Sequence, residues 1–137
     1  MKGCRKILIA VNGSKDVLRQ GLKLAEDERT WITVIKVIPD NEGELNITGI
    51  KNIGDILDSC SERERSEINA IAADERVLIK TRIEEGEPHR KIVEAAEEER
   101  CDVIIMGAKK RSWVRKLLGD NTVEKVINQA PCPVLVV

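Results

Sequence analysis

The sequence predicts a doubly wound α/β fold, in which a five-stranded parallel sheet of order 3-2-1-4-5 carries helices on both faces. Short runs rich in Val, Ile and Leu alternate with segments whose apolar residues recur every three or four positions. The run from Ile7 to Val11 is continuously aliphatic, as in a strand buried on both faces. At 137 residues, 42% hydrophobic and 34% charged, the chain fits a single domain over residues 1–137 with an ordinary core.

Five segments are predicted to be strands: residues 6–11, 31–38, 77–83, 101–106 and 134–137. The first is an aliphatic run that closes in a tight turn at Asn12 and Gly13. The second is dense in β-branched residues and stops at Pro39.

Four segments are predicted to be helices: residues 14–28, 53–74, 88–100 and 120–129. Ser14 and Asp120 are the predicted N-caps of the first and fourth, and Pro88 suits the first turn of the third. Residues 40–52, which include two glycines, are predicted to form a long loop.

The predicted topology also places a candidate ligand site. Right-handed crossovers put helices on both faces, and ligands of such sheets bind beyond the carboxyl ends of the strands where the strand order reverses. Here the reversal falls between the first and fourth strands. Asn12 and Gly13 should therefore face Gly107 and Ala108.

Composition argues against several classes of protein. With 23 Lys and Arg against 24 Asp and Glu, and aromatic residues at 1%, neither a dedicated nucleic-acid binder nor a base-stacking surface is expected. The apolar runs are far shorter than the roughly 20 residues that span a bilayer, and the amino-terminal segment lacks a secretory pattern. We expect a cytoplasmic protein that binds no membrane.

The cysteines and the histidine do not predict a metal or catalytic site. The cysteines, none in C-x-x-C spacing, are Cys4, Cys60, Cys101 and Cys132. We expect reduced, mostly buried thiols and no metal. His89, in the first turn of a helix, is expected to be exposed and not catalytic, because no Ser-His-acid set can be assembled around it.

Four segments in order resemble the universal stress protein family. They read KILIAVNGS, EGEP followed by IVEAA, CDVIIMG, and APCPVLVV. The resemblance covers nearly the whole chain, with residues 40–74 matched loosely. It implies a Rossmann-like domain that forms homodimers, responds to stress and, in one branch, binds ATP or AMP.

In that branch the loop after the fourth strand resembles G-x2-G-x9-G-[S/T], whose backbone N–H groups and hydroxyl hold phosphates. Gly107 matches the first glycine, but Lys110 stands at the second. Asp120 replaces the third glycine and Asn121 the hydroxyl residue.

The other implied contacts lie at the ends of the first two strands. Val11 and Asn12 end the first strand, with Asn12 where the family has a ribose-binding acid, and Val37 suits an adenine contact. Gly119 lies one residue before the third glycine position, and Thr122 offers a nearby hydroxyl.

These departures predict weak nucleotide binding. If both replaced glycines need left-handed φ, each side chain costs roughly 1–2 kcal/mol, together about 30- to 700-fold in affinity. Asp120 would repel a phosphate, whereas Lys110 would attract one.

Two further features have two readings each. Gly107 serves either a phosphate or the strand-to-loop turn. The five cations of residues 109–116 either attract a phosphate or an acidic partner, or belong to a solvated loop. Trp113, within this stretch, is expected to pack on its own domain or on a partner.

Three functions remain open on the sequence. The leading one is a non-catalytic, homodimeric stress-response protein with a degenerate adenine-nucleotide pocket, paired through the uncharged last strand from Val134 to Val137. The second is a true ATP or AMP binder. The third is a nucleotide hydrolase, for which Asp120 is the nearest carboxylate able to hold a metal.

Overall fold

A computed structural model of the chain describes residues 4–11, 15–25, 29–39, 53–107 and 121–137, with the backbone alone for residues 53–60. In chain order its elements are β1 (Lys6–Val11), α1 (Asp16–Leu24), β2 (Trp31–Ile38), α2 (Ile53–Asp74), β3 (Lys80–Glu85), α3 (Pro88–Glu98), β4 (Val103–Met106), α4 (Thr122–Gln129) and β5 (Val134–Val136).

The strands form one parallel sheet in the predicted order, β3-β2-β1-β4-β5. β1 lies at the centre, where Lys6 pairs with Trp31 of β2 and Ala10 pairs with Met106 of β4. The predicted fold class is therefore confirmed.

The core has two layers because the side chains of each strand alternate between the faces of the sheet. On one face Ile7 and Ile9 of β1 pack with α1 and with Ile68 of α2. On the other face Leu8 and Ala10 pack with residues of α3 and α4. Among the described residues, no helix is both long enough and apolar enough to cross a membrane.

The first helix is shorter than predicted at both ends. Lys15 occupies its N-cap position without a side-chain capping bond, and Ser14, the predicted cap, lies outside the described residues. The helix ends at Leu24, where the sequence predicts residue 28. The next residues after Ala25 are three consecutive acids, which the negative end of a helix dipole disfavours.

The third strand begins at Lys80, so the prediction of residue 77 is wrong. The backbone N–H of Val77 donates to Ala72 O at 2.9 Å, and that of Arg76 donates to Ala73 O at 3.1 Å. Arg76 has a φ of 58°. These paired bonds around a left-handed residue are a Schellman motif, and they commit Val77 to the end of α2.

The third helix ends in the same way, at Glu98 and not at residue 100. Arg100 has a φ of 53°, and Cys101 N–H donates to Ala96 O at 2.9 Å. Because this bond occupies the Cys101 backbone, β4 starts only at Val103. Pro88 is in the first turn of α3, as predicted.

Candidate functional site

The carboxyl ends of β1 and β4 lie side by side where the strand order reverses. β1 pairs with β2 on one side and with β4 on the other, and the chain leaves β1 for α1 on one face of the sheet. The next described element after β4 is α4, which packs on the opposite face. A crevice between diverging connections is the general ligand site of such sheets.

Gly107 directly follows β4 and lies against α1. A Cβ on residue 107 would come within 3.2 Å of Val17 Cβ and 3.4 Å of Val17 Cγ2. Gly107 is not among the residues with positive φ. The close approach of α1 therefore favours a small residue here, which is a reason for a glycine that involves no phosphate.

Val11 and Val37 are both buried near the carboxyl edge but belong to different faces of the sheet. Val11 packs in the core layer beneath α1 and α2, whereas Val37 packs in the layer beneath α3 and α4. Val11 pairs with Lys36, so Val37 lies one position beyond the end of β1. The structure places both at the predicted edge and does not bring them together on one surface.

Asn121 and Thr122 form the amino end of α4. Asn121 is the N-cap residue, with φ −130° and ψ 37°, and its side chain makes no capping bond. The prediction that Asp120 caps this helix is therefore wrong. Buried Val126 anchors α4 in the core, and the amino end of a helix favours negative charge.

The remaining predicted site residues lie outside the described ranges: Asn12, Lys110, Gly119 and Asp120. The basic stretch 109–116 with Trp113, and the predicted loop 40–52, also lie outside them.

His89 is less exposed than predicted, with 13% of its side chain accessible to solvent and Nδ1 at 3.4 Å from Glu87 Oε1. His89 lies in the first turn of α3, and this helix packs against β2 and β3.

The described cysteines are free thiols: Cys101 is buried, and Cys4 and Cys132 are partly buried. Burial raises the pKa of Cys101 to about 11 and also raises the pKa of Cys132. Within the described part of the chain, no group of three His, Cys, Asp or Glu side chains is placed to hold a metal.

Sequence patterning did not single out Trp31 and Leu78, two large apolar side chains that the structure leaves exposed. The available signal was a tryptophan at the first position of a strand, directly after polar residues 29 and 30.

A parallel sheet whose strand order reverses between β1 and β4 defines the chain as a doubly wound α/β protein. The sequence profile of the universal stress protein family matches residues 3–137, and the chain belongs to this family.

Known proteins agree with that membership. A universal stress protein of Methanocaldococcus jannaschii is 29% identical over 97% of this chain and 81% of its own. The solved structure of the hypothetical protein MJ0577 superposes with a TM-score of 0.77, at 24% identity over 97% of this chain and 94% of that one. The universal stress protein of Archaeoglobus fulgidus in complex with dAMP has a TM-score of 0.66, at 21% identity over 96% of each chain.

Proposed function

We propose that the protein is a non-catalytic, homodimeric stress-response protein of the cytoplasm with a weak adenine-nucleotide pocket between β1 and β4. The observation that carries the proposal is the mismatch between the adjacent ends of β1 and β4 and the altered sequence of the loop that follows β4. The strand ends lie as the family fold requires, but of the three phosphate-loop glycines only Gly107 remains.

A nucleotide as the ligand is supported by kinship and by the edge residues. The Archaeoglobus fulgidus relative was solved with dAMP. Val37 lies at the carboxyl edge as an adenine contact requires, and the amino end of α4 at Asn121 and Thr122 favours a phosphate.

Weak binding is supported by the residues that replace the motif. Lys110 and Asp120 put side chains where close backbone approach needs glycine, and Asp120 adds a negative charge beside the phosphates. Gly107 has a packing reason of its own against Val17, so its presence adds little to the case for a phosphate loop.

Calorimetric titration with MgATP, and with AMP for comparison, tests this pocket. We expect a dissociation constant above about 100 µM for the native chain. In the triple variant Lys110→Gly, Asp120→Gly and Asn121→Ser, affinity should improve by about 30- to 700-fold. No binding by the repaired variant up to millimolar nucleotide would contradict a nucleotide pocket.

The second candidate is a genuine ATP or AMP binder whose loop uses Gly107, Lys110, Gly119 and the amides of Asn121 and Thr122. The amino end of α4 favours it, because that end lies where the family motif puts its hydroxyl residue. Binding below about 100 µM that weakens in Lys110→Gly would establish this alternative, since the lysine would then contact a phosphate.

The proposal of no catalysis has its own test. ATP hydrolysis by the purified protein that disappears in Asp120→Ala would contradict it and favour a nucleotide hydrolase.

The homodimer is supported by the exposed edge of the sheet. β5 is an edge strand of three apolar residues, and Val136 has 39% of its surface exposed. An uncharged edge with unpaired backbone groups favours pairing with a second copy.

Light scattering at micromolar protein should report a dimer, and Val136→Lys should shift it to a monomer. Leu24→Lys, which changes another exposed aliphatic residue, on α1, is the matched control and should stay dimeric. A monomeric native protein would contradict this part of the proposal.

A further inference from the structure

A groove of about 800 Å³ lies at the amino ends of β1 and β2, at the edge of the sheet opposite the β1/β4 crevice. We call it the amino-edge groove; its lining includes Lys6, Arg29, Thr30, Trp31, Leu78 and Lys80. The proposed nucleotide pocket uses none of these residues.

Two large apolar side chains of the amino-edge groove face solvent. Trp31 is 76% exposed and Leu78 is 95% exposed. The backbone of Trp31 is nevertheless fixed, because its N–H donates to Arg5 O at 2.6 Å. A positioned, exposed tryptophan is typical of an interface anchor, and Leu78 adds exposed apolar surface to the same groove.

The charges around these side chains are mostly positive. The lining carries three cations, Lys6, Arg29 and Lys80, and one anion, Glu99. Glu99 is matched within the protein, since its Oε1 lies 2.6 Å from Lys80 Nζ and 3.3 Å from Arg82 Nη1. The hydrogen bond from Lys80 holds the pKa of Glu99 below its usual value, so it stays ionised. Lys80 is in turn matched by Glu99, but the described lining still has more cations than anions, which favours an acidic occupant.

The groove also contains an unsatisfied polar atom. Thr30 Oγ1 is buried and has no hydrogen-bond partner in the described part of the chain. A buried hydroxyl without a partner costs free energy.

We propose that the amino-edge groove is the docking site for an acidic segment of a partner protein. A large apolar side chain of that segment packs between Trp31 and Leu78, and its flanking carboxylates face Lys6, Arg29 and Lys80.

The exposure of the anchors favours a protein segment over a small ligand. Binding pockets enclose most of a small ligand's surface, whereas Trp31 and Leu78 present most of their own surface to solvent. A second copy of this chain fits poorly, because a two-fold contact would bring the same cations, such as Lys6 and Arg29, against each other.

Selection from a phage-displayed library of random twelve-residue peptides on the full chain tests the proposal. We expect enriched peptides that carry a large apolar residue flanked by Asp or Glu. A synthetic enriched peptide should bind Trp31→Ser/Leu78→Ser at least tenfold more weakly. Both side chains are exposed, so this variant should unfold at the native urea midpoint, and Leu24→Ser is the matched control.

The charge requirement is tested by Lys6→Glu/Arg29→Glu, which should weaken the same peptide at least tenfold, with a difference that shrinks as salt is raised. In Trp113→Phe, Trp31 is the sole tryptophan. Its emission should move to shorter wavelength when the peptide binds.

Three results would overturn the proposal. One is a selection that enriches no peptide, or only peptides that the Trp31→Ser/Leu78→Ser variant binds equally well. The second is a shift of Trp31 emission with phosphatidylglycerol vesicles but not with peptide, which would indicate a membrane surface. The third is a shift that depends on protein concentration alone, which would indicate a second copy.

Discussion

Gly107 and Val17 are in such close contact that a Cβ on residue 107 would lie 3.2 Å from Val17 Cβ. This contact joins the end of β4 to the first turn of α1, and it sets the distance between the two elements that border the candidate crevice. A glycine that looks like part of a phosphate loop is thus explained by packing.

Replacing Gly107 with alanine should therefore destabilise the protein even without nucleotide. We expect Gly107→Ala to lower the free energy of unfolding by about 1 kcal/mol, because buried Val17 can yield only slightly. Val17→Ala makes room, so the double variant should lose less stability than the sum of the two single variants, by about 1 kcal/mol. Urea unfolding of the four proteins measures this; strict additivity would contradict the contact.

Two arginines hold left-handed backbone conformations at the ends of helices, Arg76 with φ 58° and Arg100 with φ 53°. A left-handed φ costs an L-residue roughly 1–2 kcal/mol, and glycine avoids that cost. Glycine also makes the unfolded chain more flexible, which offsets part of the gain in stability. Arg76→Gly and Arg100→Gly should each stabilise the protein by about 0.5–1 kcal/mol net.

The matched controls are Arg76→Ala and Arg100→Ala, which keep the strained conformation. Thermal unfolding should show a higher midpoint for each glycine variant than for its alanine counterpart. Equal midpoints would mean that neither site carries backbone strain.

These two helix ends also show what sequence could and could not predict. The alternation of strands and helices followed from aliphatic runs that alternate with segments of helical spacing. Burial sets this pattern, so it is visible in the order of apolar and polar residues along the chain. The predicted boundaries at residues 77 and 100 were wrong because the left-handed residue of a Schellman motif is usually glycine, and here it is arginine.

The candidate site was predictable to a similar depth. Topology alone predicted that the strand order reverses between β1 and β4, and the candidate site was placed at that reversal. The packing role of Gly107 was not predictable, since it depends on the three-dimensional approach of Val17. The exposure of Trp31 was equally hidden, because it lies in a strand whose other residues are mostly buried.

Asp102 links the starts of β4 and β1 through hydrogen bonds to its carboxylate. The backbone N–H groups of Arg5 and Lys6 donate to Asp102 Oδ2 at 2.8 and 3.0 Å, and these bonds lower the pKa of the carboxyl from 3.8. A carboxyl whose folded pKa is depressed contributes stability above its unfolded pKa and loses that contribution as the pH falls through the folded pKa.

Asp102→Asn should therefore be less stable than the native chain at pH 7, and the difference should shrink as the pH falls below 3.8. Urea unfolding at pH 7, 4 and 3 measures the difference. Glu97→Gln, on the exposed side of α3, is the control and should show a smaller difference at pH 7. A difference for Asp102→Asn that does not change with pH would contradict a role for the carboxylate charge.

Cys101 should be a slow thiol in the folded protein. Burial raises its pKa from 9.0 to about 11, and the reactive species is the thiolate. At pH 8 this shift alone lowers the thiolate fraction about 100-fold, and limited access slows the reaction further.

In a variant whose other three cysteines are alanine, iodoacetamide should modify Cys101 of the native protein at least 100-fold more slowly than Cys101 of the same chain in urea. The native rate should keep rising through pH 10, and a chain that retains only partly buried Cys132 should react faster than the Cys101 chain. Equal rates of modification of Cys101 in the native and unfolded chains would show that this thiol is not buried and that its pKa is not raised.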